Sequence, residues 1–294
     1  MSYCSPEVKE KECLNKSDLD IIIEIYNKIF KNDKIEKTKN KYNDINNKLK
    51  SKLGNKNHHL WIDYLLEYVN IEDKEKLKKI SDKKFIPKKP IDWYKNPSTW
   101  LSNYDINKVL KQYDKTNKYK YKYIGCFTKD FALKDDKGKC MYYDNKCDID
   151  IDEVISSGKK YMGLITNLDR YDQSGSHWTS IFIVLDPNLE SYGIYYYDSV
   201  GLSIPKLIMI YIDNVKNQLK KKYNNEPNLF INKKRFQKGS SECGMFAITF
   251  QIKWLNNLLK DKKTKIKKIL DDEMTDKNML KNRNKYFSPV LLKK

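Results

Sequence analysis

The sequence lacks the features that mark membrane, secreted and zinc-binding proteins. No stretch approaches about 18 uncharged apolar residues, so no membrane span is expected. The N-terminus has no apolar run of the kind that secretory signal peptides carry, so we expect an intracellular protein that is not secreted. The six cysteines include no C-x-x-C pair and match no zinc template, which predicts reduced thiols and no metal site.

Arginine is also scarce, and this scarcity affects how the positive net charge is interpreted. Of the 58 basic residues only Arg170, Arg235 and Arg283 are arginine, although the formal net charge is +19. Such a charge ordinarily indicates a nucleic acid or an acidic membrane as a partner. A dedicated nucleic-acid groove would cluster its charge and use arginine for bidentate phosphate contacts, whereas the lysines here are scattered. Solvated surface lysine is the favoured interpretation, and non-specific contact with nucleic acid stays open.

Histidine is limited to three residues. His58 and His59 are adjacent, so their side chains point to different faces of any regular element and make a poor pair of metal ligands. They precede an apolar stretch, residues 60–66, that predicts a short helix. His177 begins a predicted strand and is the remaining candidate for acid–base chemistry. We expect no metal and no cofactor.

What is present predicts an α+β protein in two parts. Hydrophobic residues at 39% and aromatic residues at 13% suffice for a core, and 294 residues allow one large domain or two smaller ones. Residues 1–85 have a helical pattern, and three prolines within residues 83–97 indicate a boundary. From Tyr161 onward the pattern is typical of strands. We therefore expect an N-terminal helical domain, residues 1–85, and a second domain, residues 86–294.

A β-hairpin is the clearest local prediction in the second part. The strands at residues 177–185 and 192–199 are joined by a four-residue connection at residues 186–189. Polar residues 32–56 predict either an exposed helix or a linker. The other predicted elements are helices that begin near residues 14, 102 and 207, strands at residues 162–168 and 229–232, and a strand or buried loop at residues 121–127.

The stretch from Gln237 to Gly244 contains a cysteine directly before an apolar run, Met245 to Leu255, that reads as a buried helix. A helix that begins at Cys243 would direct its first N–H groups and the positive end of its dipole at the sulfur, which favours the thiolate. Taken alone, a cysteine at a helix start is also compatible with a small buried hydrophobic residue. A nucleophile needs a base, an orienting group and an oxyanion donor as well.

The predicted hairpin supplies the first two groups. His177 begins one strand and Asp198 ends the next, so antiparallel pairing places both at the same edge of the sheet. The carboxylate could then fix the imidazole tautomer and leave the other ring nitrogen to take a proton from a thiol. Gln237 and the backbone N–H of Cys243 are suitable oxyanion donors. Each residue alone is compatible with a surface histidine or a turn cap, but the ordered set favours catalysis.

These residues resemble a known signature. His177-Trp178, the strand end at Asp198-Ser199, and Gln237 followed after five residues by Cys243-Gly244 resemble the adenain and ubiquitin-like-protein protease superfamily of cysteine peptidases. Trp100-Leu101-Ser102-Asn103 resembles the upstream segment of SUMO-specific proteases. Further motifs resemble the polyprotein proteases of African swine fever virus and other large DNA viruses, namely Thr166-Asn167, Ser174-Gly175 and Ser199-Val200-Gly201. The viral enzymes carry Asn where this chain has Asp198.

The resemblance covers about residues 95 to 255 and implies a fold and a site. It implies a papain-like core of the adenain type, with a central mixed or antiparallel sheet flanked by helices, and an N-terminal helical arm. It implies that Cys243, His177, Asp198 and Gln237 are the catalytic residues. Substrate would be bound by Trp178 and Trp100 as channel walls, by Asn167 at a polar rim, and by Gly244, which leaves room. Trp100 as a core residue stays open.

The function implied is a cysteine endopeptidase that cleaves viral structural polyproteins after Gly-Gly during virion maturation. The expected partner is a polyprotein or ubiquitin-like protein with a Gly-Gly site, and the expected location is the host cytoplasm, its viral factory and the virion. A deubiquitylase or SUMO-type isopeptidase is the first alternative. A basic nucleic-acid-binding protein with a structural cysteine is the second. The oligomeric state stays open.

Overall fold

A computed structural model of the chain describes residues 3–8, 12–36, 42–54 and 57–290. The chain forms two compact units. The first consists of residues 1–91 together with residues 284–294, and the second consists of residues 92–283. The domain boundary after residue 85 stays a prediction.

The first unit is helical, as the pattern of residues 1–85 predicts. Its helices are α1 (Lys16–Ile29), α2 (Tyr42–Leu53), α3 (His58–Leu65) and α4 (Ile71–Lys84). Helix α1 begins after Asn15, which forms a capping box with Asp18. Of the polar stretch at residues 32–56, the part that forms α2 buries Ile45, Leu49 and Leu53, while residues 37–41 and 55–56 lie outside the described residues.

The second unit is built on a five-stranded mixed sheet in the order β1-β2-β3-β4-β5. Its elements, in chain order, are α5 (Asn103–Lys115), β1 (Tyr121–Thr128), α6 (Ile151–Ser156), β2 (Tyr161–Asn167), β3 (Trp178–Val184), β4 (Gly193–Tyr197), α7 (Lys206–Tyr223), β5 (Asn228–Ile231), α8 (Cys243–Lys260), α9 (Ile266–Ile269) and α10 (Asp276–Tyr286). Short 3₁₀ turns lie at Ile91–Tyr94 and Asn117–Tyr119.

The central strands are antiparallel and the outer ones are parallel to their neighbours. Strand β3 pairs antiparallel with both β2 and β4, and this confirms the predicted hairpin. Strand β1 runs parallel to β2, and β5 runs parallel to β4. The mixed sheet flanked by helices confirms the α+β fold class.

The two faces of the sheet are covered by different helices. Ile181 and Ile183 of β3 belong to a buried cluster that includes the buried apolar residues of α7. Phe182, on the opposite face, stacks on Trp254 of α8 with ring centroids 5.3 Å apart. This alternation along β3 is the period of two that a strand buried on both faces requires. Helix α8 is buried along its whole first half, which explains its continuous apolar run.

The structure corrects the expectation of reduced thiols. Cys4 is bonded to Cys13, and Cys140 is bonded to Cys147. The spacings match no sequence template, but the folded backbone brings the paired Cα atoms to 5.0 Å and 5.5 Å, distances that a disulfide spans. Cys126 and Cys243 remain as free thiols.

Two findings bear on membranes and metals. Every helix within the described ranges is either too short or too polar to cross a bilayer. The same part of the chain shows no group of three or more His, Cys, Asp or Glu side chains arranged to hold a metal ion.

A buried amide fixes helix α8 against the sheet. The Gln251 side chain donates to the Ile181 carbonyl at 2.8 Å and accepts from the Tyr121 hydroxyl at 2.9 Å. Gly163 of β2 makes this close approach possible, because a Cβ there would overlap the Gln251 amide oxygen and the Tyr121 hydroxyl. Because Gln251 lies two turns after Cys243, this contact also fixes where the helix begins.

Gly163→Ala tests this contact. The added methyl group overpacks a closed polar cluster, so we expect the free energy of unfolding to fall by about 1–3 kcal/mol in urea denaturation. Gly239→Ala is the matched control, because its methyl group would meet only an ordinary contact with Asp276. Equal stability of the two variants would show that the approach of Gln251 to β2 is not needed.

Candidate active site

Cys243 is the first residue of helix α8 and is 2% exposed. The preceding residue, Glu242, has non-helical backbone angles, and its carbonyl accepts from the Phe246 N–H at 2.9 Å. The helix therefore begins where the sequence predicts. The N–H groups and the dipole of a first helical turn favour negative charge placed near the helix start.

His177 and Asp198 lie together at one edge of the sheet, as the hairpin predicts. His177 Nε2 is 3.1 Å from Asp198 Oδ1, and Asp198 is fully buried. The same carboxylate oxygen accepts from the Val200 N–H at 2.7 Å. The Asn232 side chain donates to the Asp198 carbonyl at 2.6 Å. These contacts hold the carboxylate in one orientation, which in turn fixes the imidazole.

The second ring nitrogen of His177 is available to the thiol of Cys243. Cys243 lies close enough to the imidazole to raise the pKa of His177. Because Asp198 occupies Nε2, the nitrogen left for sulfur is Nδ1. The structure thus brings together the predicted nucleophile, base and orienting carboxylate from three separate elements.

The electrostatics of His177 favour its charged form. Burial by itself lowers the pKa of the imidazole, but the hydrogen bonds and negative charge of Asp198 and Cys243 outweigh burial and raise the pKa to about 9, from an ordinary value of 6.5. An imidazolium at neutral pH is the state that stabilises a neighbouring thiolate.

Gln237 is buried, and its side-chain amide is held in one orientation. The Ser199 hydroxyl donates to Gln237 Oε1 at 2.7 Å, and Gln237 Nε2 donates to the Gly239 carbonyl at 2.9 Å. The Gln237 backbone N–H donates to the Ser199 carbonyl at 2.9 Å. One amide hydrogen is used by Gly239, so the second is the one that an oxyanion can receive.

Asn167 is the last residue of β2 and is buried where the loop that leads to His177 begins. Its Oδ1 accepts from the N–H groups of Asp169 at 2.9 Å and Ser176 at 3.1 Å. Gly175 has φ +92°, and a Cβ there would lie 3.1 Å from Asn167 Nδ2. Asn167 therefore braces the loop at both ends, and its place in the substrate-binding rim stays a prediction.

The two candidate wall tryptophans are joined through Leu101. The Trp178 indole N–H donates to the Leu101 carbonyl at 2.9 Å, and Leu101 is buried. Trp100, the preceding residue, is 49% exposed, so the alternative that it is a core residue is wrong. Gly244 contributes by its lack of a side chain, since a Cβ would lie 3.1 Å from Leu101 Cβ and 3.3 Å from Trp178 Cδ1. Close packing is therefore a direct reason for glycine at this position.

Sequence reasoning missed several residues that hold the site. Ser199 and Asn232 were seen only as motif or strand residues, although they fix Gln237 and Asp198. Arg283, which pairs with Glu242, was also missed. The scarcity of arginine was the available signal for Arg283. Ser199 and Asn232 offered no comparable one.

Comparison with known proteins places the site within a matched domain. A family model described as the C-terminal catalytic domain of the Ulp1 protease family matches residues 159–290, which include His177, Asp198, Gln237 and Cys243. A thiol protease of Acanthamoeba polyphaga mimivirus is 34% identical over 158 residues, covering 53% of this chain and 48% of that protein. The chain thus spans about half the length of this relative.

A second viral relative matches more of its own length. The cysteine protease of African swine fever virus is 24% identical over 204 residues, which cover 66% of this chain and 69% of that protein. The crystal structure of the African swine fever virus protease superposes with a TM-score of 0.71 at 20% identity, covering 98% of this chain and 96% of that chain. The fold is therefore shared along nearly the whole chain, and residues 159–290 are similar to the C-terminal catalytic domain of the Ulp1 protease family.

Proposed function

We propose that this protein is a viral cysteine endopeptidase that cleaves structural polyproteins after Gly-Gly, with Cys243 as nucleophile. The observation that carries the proposal is the arrangement of Cys243, His177 and Asp198. A thiol at the start of a buried helix lies beside an imidazole, close enough to raise its pKa, and one nitrogen of that imidazole is 3.1 Å from a buried carboxylate. Viral relatives that are named as thiol and cysteine proteases support it.

The proposed chemistry is acyl transfer through a thioester. The Cys243 thiolate adds to the carbonyl carbon of the glycine, and the His177 imidazolium gives its proton to the leaving amine as the C–N bond breaks. A water molecule then attacks the thioester while His177 takes up a proton. The carbon–sulfur bond breaks, and the acid is released. Asp198 keeps the imidazole oriented through both steps.

Two donors would stabilise the oxyanion. One is the second amide hydrogen of Gln237, whose side chain is buried, and the other is the backbone N–H of Cys243, at the start of a helix. Because both donors are held in place, neither needs to reorganise during the reaction.

Specificity for Gly-Gly would follow from steric exclusion. The Trp178 indole donates to the Leu101 carbonyl, and the exposed Trp100 directly precedes Leu101, so two aromatic side chains lie beside one backbone segment. A channel walled by two aromatic rings admits glycine and excludes branched side chains.

Peptidase activity and its dependence on Cys243 can be tested directly. The purified protein should cleave a peptide with Gly-Gly on the N-terminal side of the scissile bond, and Cys243→Ala should abolish cleavage. Cys126→Ala is the matched control, because burial raises the pKa of that thiol to about 12 and makes it a poor nucleophile. Full activity of Cys243→Ala would contradict the proposal.

A substrate panel separates the proposal from its alternatives. Gly-Gly peptides from viral polyproteins should be cleaved faster than ubiquitin and SUMO conjugates. Preference for a ubiquitin or SUMO conjugate would instead assign the protein as a deubiquitylase or SUMO-type isopeptidase. Salt-sensitive DNA binding that survives Cys243→Ala, with no peptidase activity in the wild type, would indicate a nucleic-acid-binding protein.

A further prediction concerns the oxyanion donor. Gln237→Ala should lower kcat about 10²–10³-fold with a small change in KM, which is the size expected for one oxyanion donor. Ser199→Ala should produce a smaller loss, because it frees the Gln237 amide without removing it. If Ser199→Ala lowers kcat as much as Gln237→Ala does, the expected difference between removing the Gln237 amide and merely releasing it is absent.

The pH dependence tests the role of Asp198. Wild-type activity should fall as the pH rises through about 9, because His177 then loses its proton. In Asp198→Asn the pKa of His177 should fall towards its ordinary value, so the alkaline limb of the rate profile should move to lower pH, and the rate should be reduced but not abolished.

The same shift has a stability consequence with a definite sign. A histidine whose pKa is raised on folding stabilises the folded state fully below about pH 6.5 and loses that contribution as the pH rises through about 9. The stability difference between wild type and Asp198→Asn, measured by urea unfolding, should therefore shrink across this range. A difference that grows with pH would contradict the assignment.

A further inference from the structure

A buried ion pair adjoins the proposed nucleophile. Glu242 and Arg283 are 2% and 4% exposed. Arg283 Nε donates to Glu242 Oε2 and Arg283 Nη2 donates to Glu242 Oε1, each at 3.0 Å. This is the two-bond geometry that a guanidinium forms and an ammonium cannot.

The carboxylate of Glu242 is not used to cap the helix that it precedes. Glu242 occupies the N-cap position of α8, where an acidic side chain commonly accepts from the first N–H groups, but it makes no such hydrogen bond. It is turned instead to Arg283 on helix α10. The Glu242 side chain therefore leaves the first-turn N–H groups of α8, beside Cys243, uncapped.

The charge of the pair matters to Cys243 because the two residues are consecutive. A buried carboxylate one residue from the nucleophile would oppose thiolate formation if it were unpaired, and a cation beside it removes that repulsion. The other charged groups directed at Cys243 are His177, from the start of β3, and behind it Asp198, from the end of β4. The thiol of Cys243 thus lies beside two pairs of opposite charge, His177 with Asp198 and Arg283 with Glu242.

Arg283 has a second set of partners on the substrate side. Its Nη1 donates to the Thr99 carbonyl at 2.8 Å, and its guanidinium lies 4.3 Å from the centroid of the Trp93 ring. Thr99 directly precedes Trp100. One side chain thus joins the start of the nucleophile helix to the segment that carries the proposed channel wall.

The first residue of α10, Asp276, binds the loop between Gln237 and Cys243. Asp276 Oδ2 accepts from the N–H groups of Lys238 at 2.9 Å and Gly239 at 3.3 Å. The Gly239 carbonyl in turn accepts from the Gln237 amide. Helix α10 therefore contacts both ends of the loop between Gln237 and Cys243.

From these contacts we infer that Glu242 and Arg283 are positioning residues of the proposed reaction. Arg283 neutralises Glu242 beside the thiol and holds Thr99, and thereby Trp100, against the same helix start. The inference rests on the proposed role of Cys243 as nucleophile. It predicts effects of opposite sign on thiol reactivity when the two charges are removed one at a time.

The experiment measures the pH dependence of alkylation of Cys243 by iodoacetamide, followed by mass spectrometry of the peptide that contains it. In Glu242→Gln the uncompensated cation should move the half-maximal rate to lower pH. In Arg283→Met the uncompensated carboxylate should move it to higher pH, by about one unit. In the double variant, which has neither charge, the midpoint should return close to that of the wild type.

Two further variants separate charge from geometry. Arg283→Lys keeps the charge, so its alkylation midpoint should stay near wild type, but it cannot hold Glu242 by two bonds and also reach Thr99. Its KM for a Gly-Gly peptide should rise several-fold, more than its kcat falls. Lys281→Met removes an exposed charge from the same helix and is the matched control, with no change in either measurement.

The outcomes are distinguishable. Equal midpoints in all folded variants, or shifts of the same direction in Glu242→Gln and Arg283→Met, would overturn the inference and leave the proposed function standing. If circular dichroism shows that Arg283→Met does not fold, Glu242→Gln and the double variant decide the question. If wild-type Cys243 is not alkylated at any pH, the proposed function itself fails.

Discussion

The antiparallel pairing of β3 with β4 is the constraint on which the site depends. Its register pairs Ser180 with Tyr197 and Phe182 with Tyr195. Both faces of these strands are buried, so a slip of one residue would turn the apolar side chains of one face towards the helix on the other. The packing of the core therefore fixes the register. His177 and Asp198 lie just beyond the paired residues, so the register of the strands also sets their positions.

Two buried pairs of opposite charge lie near this edge. Asp198 is buried against His177, and Glu242 is buried against Arg283. Breaking either pair by removing one partner would leave a charge away from water, which costs about 3–5 kcal/mol for buried pairs. Such pairs add little net stability, because desolvation offsets most of their attraction. We infer that these pairs hold the thiol in a fixed electrostatic environment at the start of a helix that Gln251 bonds to the sheet.

The sequence predicted the parts of the fold that depend on local chemistry. The turn at residues 186–189 and the two apolar strands beside it define the hairpin, and the hairpin alone brings His177 near Asp198. Polar residues followed by an apolar run gave the start of α8 at Cys243. What could not be predicted depends on partners far apart in the chain. Arg283 lies 41 residues from Glu242, and nothing near either residue identifies the other.

The same limit explains the remaining differences. The disulfides depend on how loops close, which spacing does not show, so Cys140 and Cys147 were expected to be reduced. The exposure of Trp100 depends on Leu101, which takes the buried place beside it. Asn167 was expected at the substrate rim from resemblance alone, whereas its bonds to the backbone on both sides of the loop are visible only in the folded chain.

The central claim is that Cys243, assisted by His177, reacts with the carbonyl carbon of the second glycine of Gly-Gly. The most direct test is to incubate the protein with a peptide that ends in Gly-Gly vinyl sulfone, which adds a thiol across its double bond, and to map the adduct by intact mass and peptide sequencing. We expect one adduct, on Cys243, that does not form in His177→Ala and forms poorly when the glycines are replaced by valine. An adduct on Cys126, or labelling that ignores His177 and the glycines, would contradict the account.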